Sequence, residues 1–122
     1  MKQQKFSLRK RIQSFVYAFQ GLRVLFLEEH NARIHLVAAA GVVGLGWFCR
    51  CSTSEWTALV LAIGLVITAE ALNSAIENLA DFVSPERNDS IKRVKDLAAA
   101  AVLISAIAAL VVGLLVFVPK MV

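Results

Sequence analysis

The chain has 122 residues, 58% of them hydrophobic, with a mean hydropathy of +0.68 and a formal net charge of +4. This is too apolar for a small soluble domain and ordinary for a polytopic membrane protein, so a single membrane-embedded domain over residues 1–122 is expected. The two cysteines, Cys49 and Cys51, stand too close for a comfortable disulfide and have no metal-ligating partners nearby, which leaves them as small apolar fillers at a helix end. No nucleic-acid partner is expected.

Residues 1–11 carry Lys2, Lys5, Arg9, Lys10 and Arg11, after which Ile12, Phe15, Val16, Phe19, Leu22, Phe26 and Leu27 recur at spacings of three and four. That spacing makes one apolar helical face, with Gln13, Tyr17, Gln20 and Arg23 on the other. A basic amphipathic helix of this kind lies in the membrane interface with its cations near anionic head groups, or packs on protein along the same face. The basic start leads into this segment rather than into a short apolar run with a cleavage site, so no cleavable signal peptide is expected.

Glu28-Glu-His-Asn-Ala-Arg33 interrupts the pattern with a dense polar cluster and closes an interfacial region over 1–33. Ile34 to Cys49 is the first candidate span, short at roughly 24 Å. Gly41, Gly44 and Gly46 give it small surfaces for close helix approach. Arg50 to Glu55 reads as a turn, with Thr53 or Ser54 capping the next helix. Trp56 to Val83 is the second helix, and Trp47 and Trp56 bracket the turn at the depth of an interfacial aromatic belt. Ser84 to Ser90, with Pro85, is the clearest break. Leu97 to Val118 is the third span, uninterrupted by charge and roughly 33 Å long, ended by Pro119 and Lys120.

The cations set the orientation. Lys2, Lys5, Arg9, Lys10, Arg11, Arg23 and Arg33 precede the first span, and Arg87, Lys92, Arg93 and Lys95 lie in the second loop. Only Arg50 and Lys120 fall on the other side. The positive-inside rule then puts the N-terminus and the 84–96 loop in the cytoplasm.

The second helix carries the chemistry. At roughly 100° per residue, Glu70, Asn73, Glu77 and Asp81 share a narrow sector of one face. A carboxylate at the hydrocarbon boundary is expensive, on the order of 2.5–3.5 kcal/mol, and marks a candidate functional site. Carboxylates sharing a face with an Asn form an oxygen-rich surface suited to a hard cation. For Asp81 a solvated helix end serves as well. Glu29 and Glu77 could supply oxygens to Mg²⁺, Lys95 could meet a phosphate as a point charge, and Glu70, nearest the hydrocarbon, suits a general base. A base beside a metal–phosphate site at a membrane surface implies phosphoryl transfer to a lipid hydroxyl. No Walker A or protein-kinase glycine loop is present.

Glu70-Ala-Leu-Asn-Ser-Ala-Ile-Glu77, then Asp81, then Lys95-Asp96-Leu-Ala-Ala-Ala-Ala-Val-Leu closely resemble the signature of the small integral-membrane prokaryotic diacylglycerol kinases, a family that includes undecaprenol kinases. Tyr17, Gly21-Leu-Arg23, Glu29 and the loop lengths extend the resemblance over nearly the whole chain. The resemblance implies a homotrimer in the bacterial cytoplasmic membrane with active sites shared between subunits, using ATP and Mg²⁺. It implies Glu70 as proton acceptor and Glu29 and Glu77 as metal ligands. Tyr17, Glu86, Arg87, Asn88, Lys95 and Asp96 would line the nucleotide site, joined by Lys10, which stands where the diacylglycerol kinases carry Arg. Asn73, Arg23 and His35 are the candidate substrate-contacting and positioning residues. His35 reads equally as a polar residue at head-group level.

The segment Glu28 to His35 looks more like the undecaprenol kinase branch, and undecaprenol is the expected substrate. Arg23, Arg33 and Asn31 could meet the ester carbonyls of diacylglycerol, which keeps that lipid as the alternative. An ion-conducting oligomer would also place carboxylates in a span, but it needs polar groups through the full depth, and residues 56–67 and 97–118 offer almost none. A non-catalytic membrane adaptor leaves Glu70 and Lys95 unexplained.

Overall fold

The computed structural model describes residues 5–122, all of whose regular structure is helical: α1 (Leu8–Glu28), α2 (His30–Phe48), α3 (Thr53–Val83) and α4 (Asp89–Met121). The cation Lys2 lies outside the described residues. The helices are delimited by local chemistry. Ser7 caps α1 by accepting from the Lys10 amide, and Asn88 caps α4 by accepting from the Ser90 and Ile91 amides. Ser52, rather than Thr53 or Ser54, caps α3, and Glu55 returns the bond to the Ser52 amide to complete a capping box.

The polar cluster at 28–33 is not a break of several residues. Only Glu29 leaves helical geometry, at φ −104° and ψ 115°, serving at once as the C-cap of α1 and the N-cap of α2. At the other end of the chain, α4 runs through Pro119 to Met121 instead of stopping before it. Proline's fixed φ is helical, and this near a terminus the ring removes one backbone bond without breaking the helix.

The helices α3 and α4 are long and apolar enough to cross a membrane. The α2 helix does not reach that standard, because His30, Asn31, Arg33 and His35 occupy its first two turns. The principal packing is α4 antiparallel on α3, with α2 on α3, and α1 lying against α2 and α3. Ion pairs tie both ends of the α3–α4 hairpin: Lys95 with Asp81 beside the 84–88 turn, and Lys120 with Glu55 at 3.0 Å at the far end.

Near that far end Leu59, Val116 and Phe117 form a small core, covered by Val42, Leu45, Val112, Trp56 and the two free cysteines. The cysteines are thus packing residues. Trp47 meets Trp56 edge to face, with ring centroids 5.9 Å apart. Gly46 lies under the Trp56 ring, where a Cβ would sit 2.7 Å from Cη2. Arg50 turns the chain between α2 and α3 in the left-handed region at φ 55°.

The rest of the helical surface is open. The chain exposes 9654 Å², where a compact protein of its mass exposes about 6,500 Å². Phe15 and Phe19 of α1, Leu61 and Phe82 of α3, and Ile104 and Leu115 of α4 all stand exposed.

Candidate active site

In the fifth turn of α3 the apolar wall gives way to Glu70, which is only 2% exposed. It falls there because residues 66, 69, 70, 74 and 80 of α3 form its inward stripe. A buried carboxylate ordinarily takes hydrogen bonds on both oxygens, and leaving one unsatisfied is costly. The nearest partner of Glu70 is His35, from the second turn of α2, whose Nε2 lies 3.2 Å from Oε1. The two are close but not aligned as a hydrogen bond, so Oε1 has no donor.

One turn further along α3, Asn73 Nδ2 donates to Glu77 Oε1 at 3.3 Å. This fixes the amide so that its Oδ1 is buried without a donor, as is the Ser74 hydroxyl oxygen. Glu29 joins from the α1–α2 junction. Its backbone N–H is spent on the Leu25 carbonyl, while its side chain caps nothing. Glu29 and Glu77 both lie close enough to Glu70 to act on it electrostatically. Between α1 and α3 opens a recess of about 560 Å³, walled by Gly21, Leu25 and Ala75 and carrying Glu29, Ser74 and Asn78 as its polar groups. A second groove of about 530 Å³ follows α3 and α4 past Leu65, Thr68, Asn73, Val94 and Ser105.

Among the described residues no three His, Cys, Asp or Glu side chains are gathered as a self-sufficient metal site. Mg²⁺ does not require one, since it usually binds through one or two carboxylates plus substrate phosphates. Glu29, Glu77 and the unpartnered Asn73 Oδ1 are hard oxygen donors of the kind such an ion takes, Glu29 in the α1–α3 recess and Asn73 on the α3–α4 groove.

The other candidate residues fall into separate groups. Glu86, Arg87, Asn88 and Lys95 line a recess of about 460 Å³ at the α3–α4 turn. Asp96 lines an adjoining recess on α4 with Asp89 and Arg93 and pairs with Lys92 at 2.6 Å. Lys10 and Tyr17 line a shallow recess on α1, and Arg23 is exposed on the same helix. One chain therefore sets His35 against Glu70, with Glu29 and Glu77 near enough to act on it and Asn73 bonded to Glu77, while the turn residues and the α1 residues line recesses of their own.

Ser74 and Asn78 were not singled out by sequence, although each stands four residues along α3 from a polar predecessor, Glu70 and Ser74. That spacing was the available signal.

Residues 16–117 match the family described as prokaryotic diacylglycerol kinase. The chain is 35% identical over 114 residues to an undecaprenol kinase of Bacillus subtilis, covering 93% of both chains. It is 33% identical over 95 residues to a diacylglycerol kinase of Escherichia coli, covering 78% of both. A diacylglycerol kinase of Helicobacter pylori is 30% identical over 99 residues, 81% of this chain and 77% of that one. A buried carboxylate on a membrane-length helix, with Glu29 and Glu77 near it, marks a functional site rather than packing. The chain is a member of the prokaryotic diacylglycerol kinase family and a membrane-bound lipid kinase.

Proposed function

We propose that this enzyme uses ATP and Mg²⁺ to phosphorylate the terminal hydroxyl of undecaprenol at the cytoplasmic face of the bacterial inner membrane, with diacylglycerol accepted more slowly. The observation that carries this reading is Glu70, buried among apolar helix surfaces with Oε1 free to accept a proton. A hydroxyl presented from the lipid side meets a base there, and general bases of this kind contribute about 10²–10⁴-fold to rate.

Glu29 and Glu77 hold Mg²⁺ in this reading, with the Asn73 amide keeping Glu77 in place. When bound, the ion neutralises charge on the phosphate oxygens. Lys95 exchanges Asp81 for a phosphate, and the 86–88 turn and the α1 residues Lys10 and Tyr17 complete the nucleotide site. Arg23 stands at the lipid head-group level. Because α1 and the 84–95 turn present separate surfaces in one chain, a complete site needs residues from a neighbouring subunit, and a homotrimer provides them. The exposed apolar face of α1, from Phe15 to Leu27, suits an interfacial helix that lengthens α2 into a third span. The placement of cations supports a cytoplasmic N-terminus and 84–96 turn.

Undecaprenol is favoured over diacylglycerol by the relative that shares 93% of its length with this chain and by the polar segment Glu28 to His35. A polyprenol offers a single hydroxyl, so recognition rests on the apolar grooves and on Glu70. The test is ATP-dependent phosphorylation of both lipids by purified protein in the same mixed micelles. The kcat/KM ratio should favour undecaprenol. A tenfold preference for diacylglycerol, about 1.4 kcal/mol of transition-state discrimination, would reverse the substrate assignment. Glu70→Gln should lower turnover by about 10²–10⁴-fold while nucleotide binding survives; wild-type turnover would remove Glu70 from the mechanism.

A further inference from the structure

We propose that His35 is a positioning residue that holds Glu70 and relays the proton Glu70 accepts out to the aqueous surface. The inference rests on the reading of Glu70 as base and concerns the step after proton abstraction. A base that keeps its proton works once. The Glu70 side chain is 3% exposed, so water does not reach it freely, whereas the His35 side chain is 26% exposed. The imidazole thus spans the distance between the sealed carboxylate and the surface.

The charged groups that act on Glu70 are His35 from α2, Glu29 from the α1–α2 junction and Glu77 on α3 itself. Two of these are the carboxylates assigned to the ion. His35 is the remaining one, its Nε2 3.2 Å from Oε1 and out of line with it. Catalytic hydrogen bonds are often misaligned without substrate and tighten in the reacting complex, and a small rotation of the ring closes this one.

The lipid oxygen forms its bond to the γ-phosphorus while the bond from that phosphorus to the bridging oxygen of ADP breaks, and ADP leaves with the electron pair. The hydroxyl proton passes to Glu70 Oε1 and then to His35 Nε2. The resulting imidazolium gives up its Nδ1 proton to water, which restores the Glu70 carboxylate and leaves the ring as the Nε2–H tautomer; exchange of the ring protons with water between turnovers resets it.

An amide at position 35 could hold the carboxylate by hydrogen bonding but could not relay a proton. His35→Ala and His35→Gln are therefore measured with undecaprenol and ATP in mixed micelles. Both should lose about 10²-fold in kcat with the KM for ATP unchanged. Added imidazole should restore His35→Ala in a dose-dependent, saturable manner, with methylimidazoles graded by their basicity. Wild-type turnover of His35→Gln would overturn the relay, and so would failure of imidazole to restore a His35→Ala protein that melts at the wild-type temperature. If His35→Ala does not fold, His35→Gln carries the test alone: slow turnover with an enlarged solvent deuterium effect supports the relay, and an unchanged effect overturns it. An active Glu70→Gln protein would sink the underlying base assignment. An inactive Glu70→Gln protein beside an unimpaired His35→Ala would sink the relay alone.

Discussion

Asn73 and Lys95 show how single residues are held ready by bonds that ligands must either keep or replace. The Asn73 amide gives its N–H to Glu77 and keeps its own carbonyl oxygen without a donor. If Glu29 and Glu77 share the ion as proposed, removing either carboxylate should raise the Mg²⁺ requirement. Glu29→Gln and Glu77→Gln are each expected to shift the Mg²⁺ titration of activity upward and weaken ATP binding, and the double variant should fall short of the summed effects because the two share one ion. An unchanged Mg²⁺ dependence in both would move the ion elsewhere. Lys95 is held by Asp81, so a phosphate must compete with that carboxylate. Asp81→Asn should lower the KM for ATP a few-fold, and Lys95→Gln should raise it. An Asp81→Asn protein with weaker ATP binding would mean that Asp81 itself supports the nucleotide.

The helices follow from local signals, and where those signals are strong their ends are sharp. Ser52 and Glu55 close α3 with a reciprocal cap, and Asn88 starts α4 with two amides on one oxygen. Against Trp56, Gly46 leaves no room for a methyl group. Gly46→Ala should therefore destabilise the α2–α3 contact by about 1–3 kcal/mol as an overpacked site, read as a lower melting temperature in detergent. An unchanged melting temperature would show that the indole shifts freely. The helical periodicity, the carboxylate stripe and the start of the break at Ser84 were legible in the chain. The end of the break was not: α4 begins at Asp89, inside the expected 84–90 break, because Asn88 caps it and Lys92 to Lys95 are already helical. Nor was the approach of His35 to Glu70 legible, since it depends on how α2 is rotated against α3. The Lys95–Asp81 pair was equally hidden, being set by the antiparallel register of α3 and α4. The single-residue junction at Glu29 escaped because a run of polar residues reads as loop even when its backbone stays helical.

At the scale of the whole molecule, the residues proposed to bind nucleotide are divided between surfaces that one chain does not join. If sites are shared between subunits, mixing Glu70→Gln with Lys95→Gln at limiting ATP should give more activity than either protein alone, because in some mixed assemblies one site takes an intact Glu70 cluster from one chain and an intact Lys95 turn from its neighbour. Assay of reconstituted mixtures, with hetero-oligomers verified by differential tags, provides the measurement. Verified mixed assemblies without recovery would place each site within a single chain.

The large exposed surface has a thermodynamic consequence beyond the site. A chain exposing 9654 Å², much of it apolar side chain, has no free-standing folding free energy that could be tabulated as a constant. Its helix faces are covered by other copies or by amphiphile, and both obey mass action. The melting temperature should rise with the mole fraction of protein in the micelle and fall on dilution with detergent at constant total protein. Two preparations of the same sequence will therefore report different stabilities unless that ratio is matched.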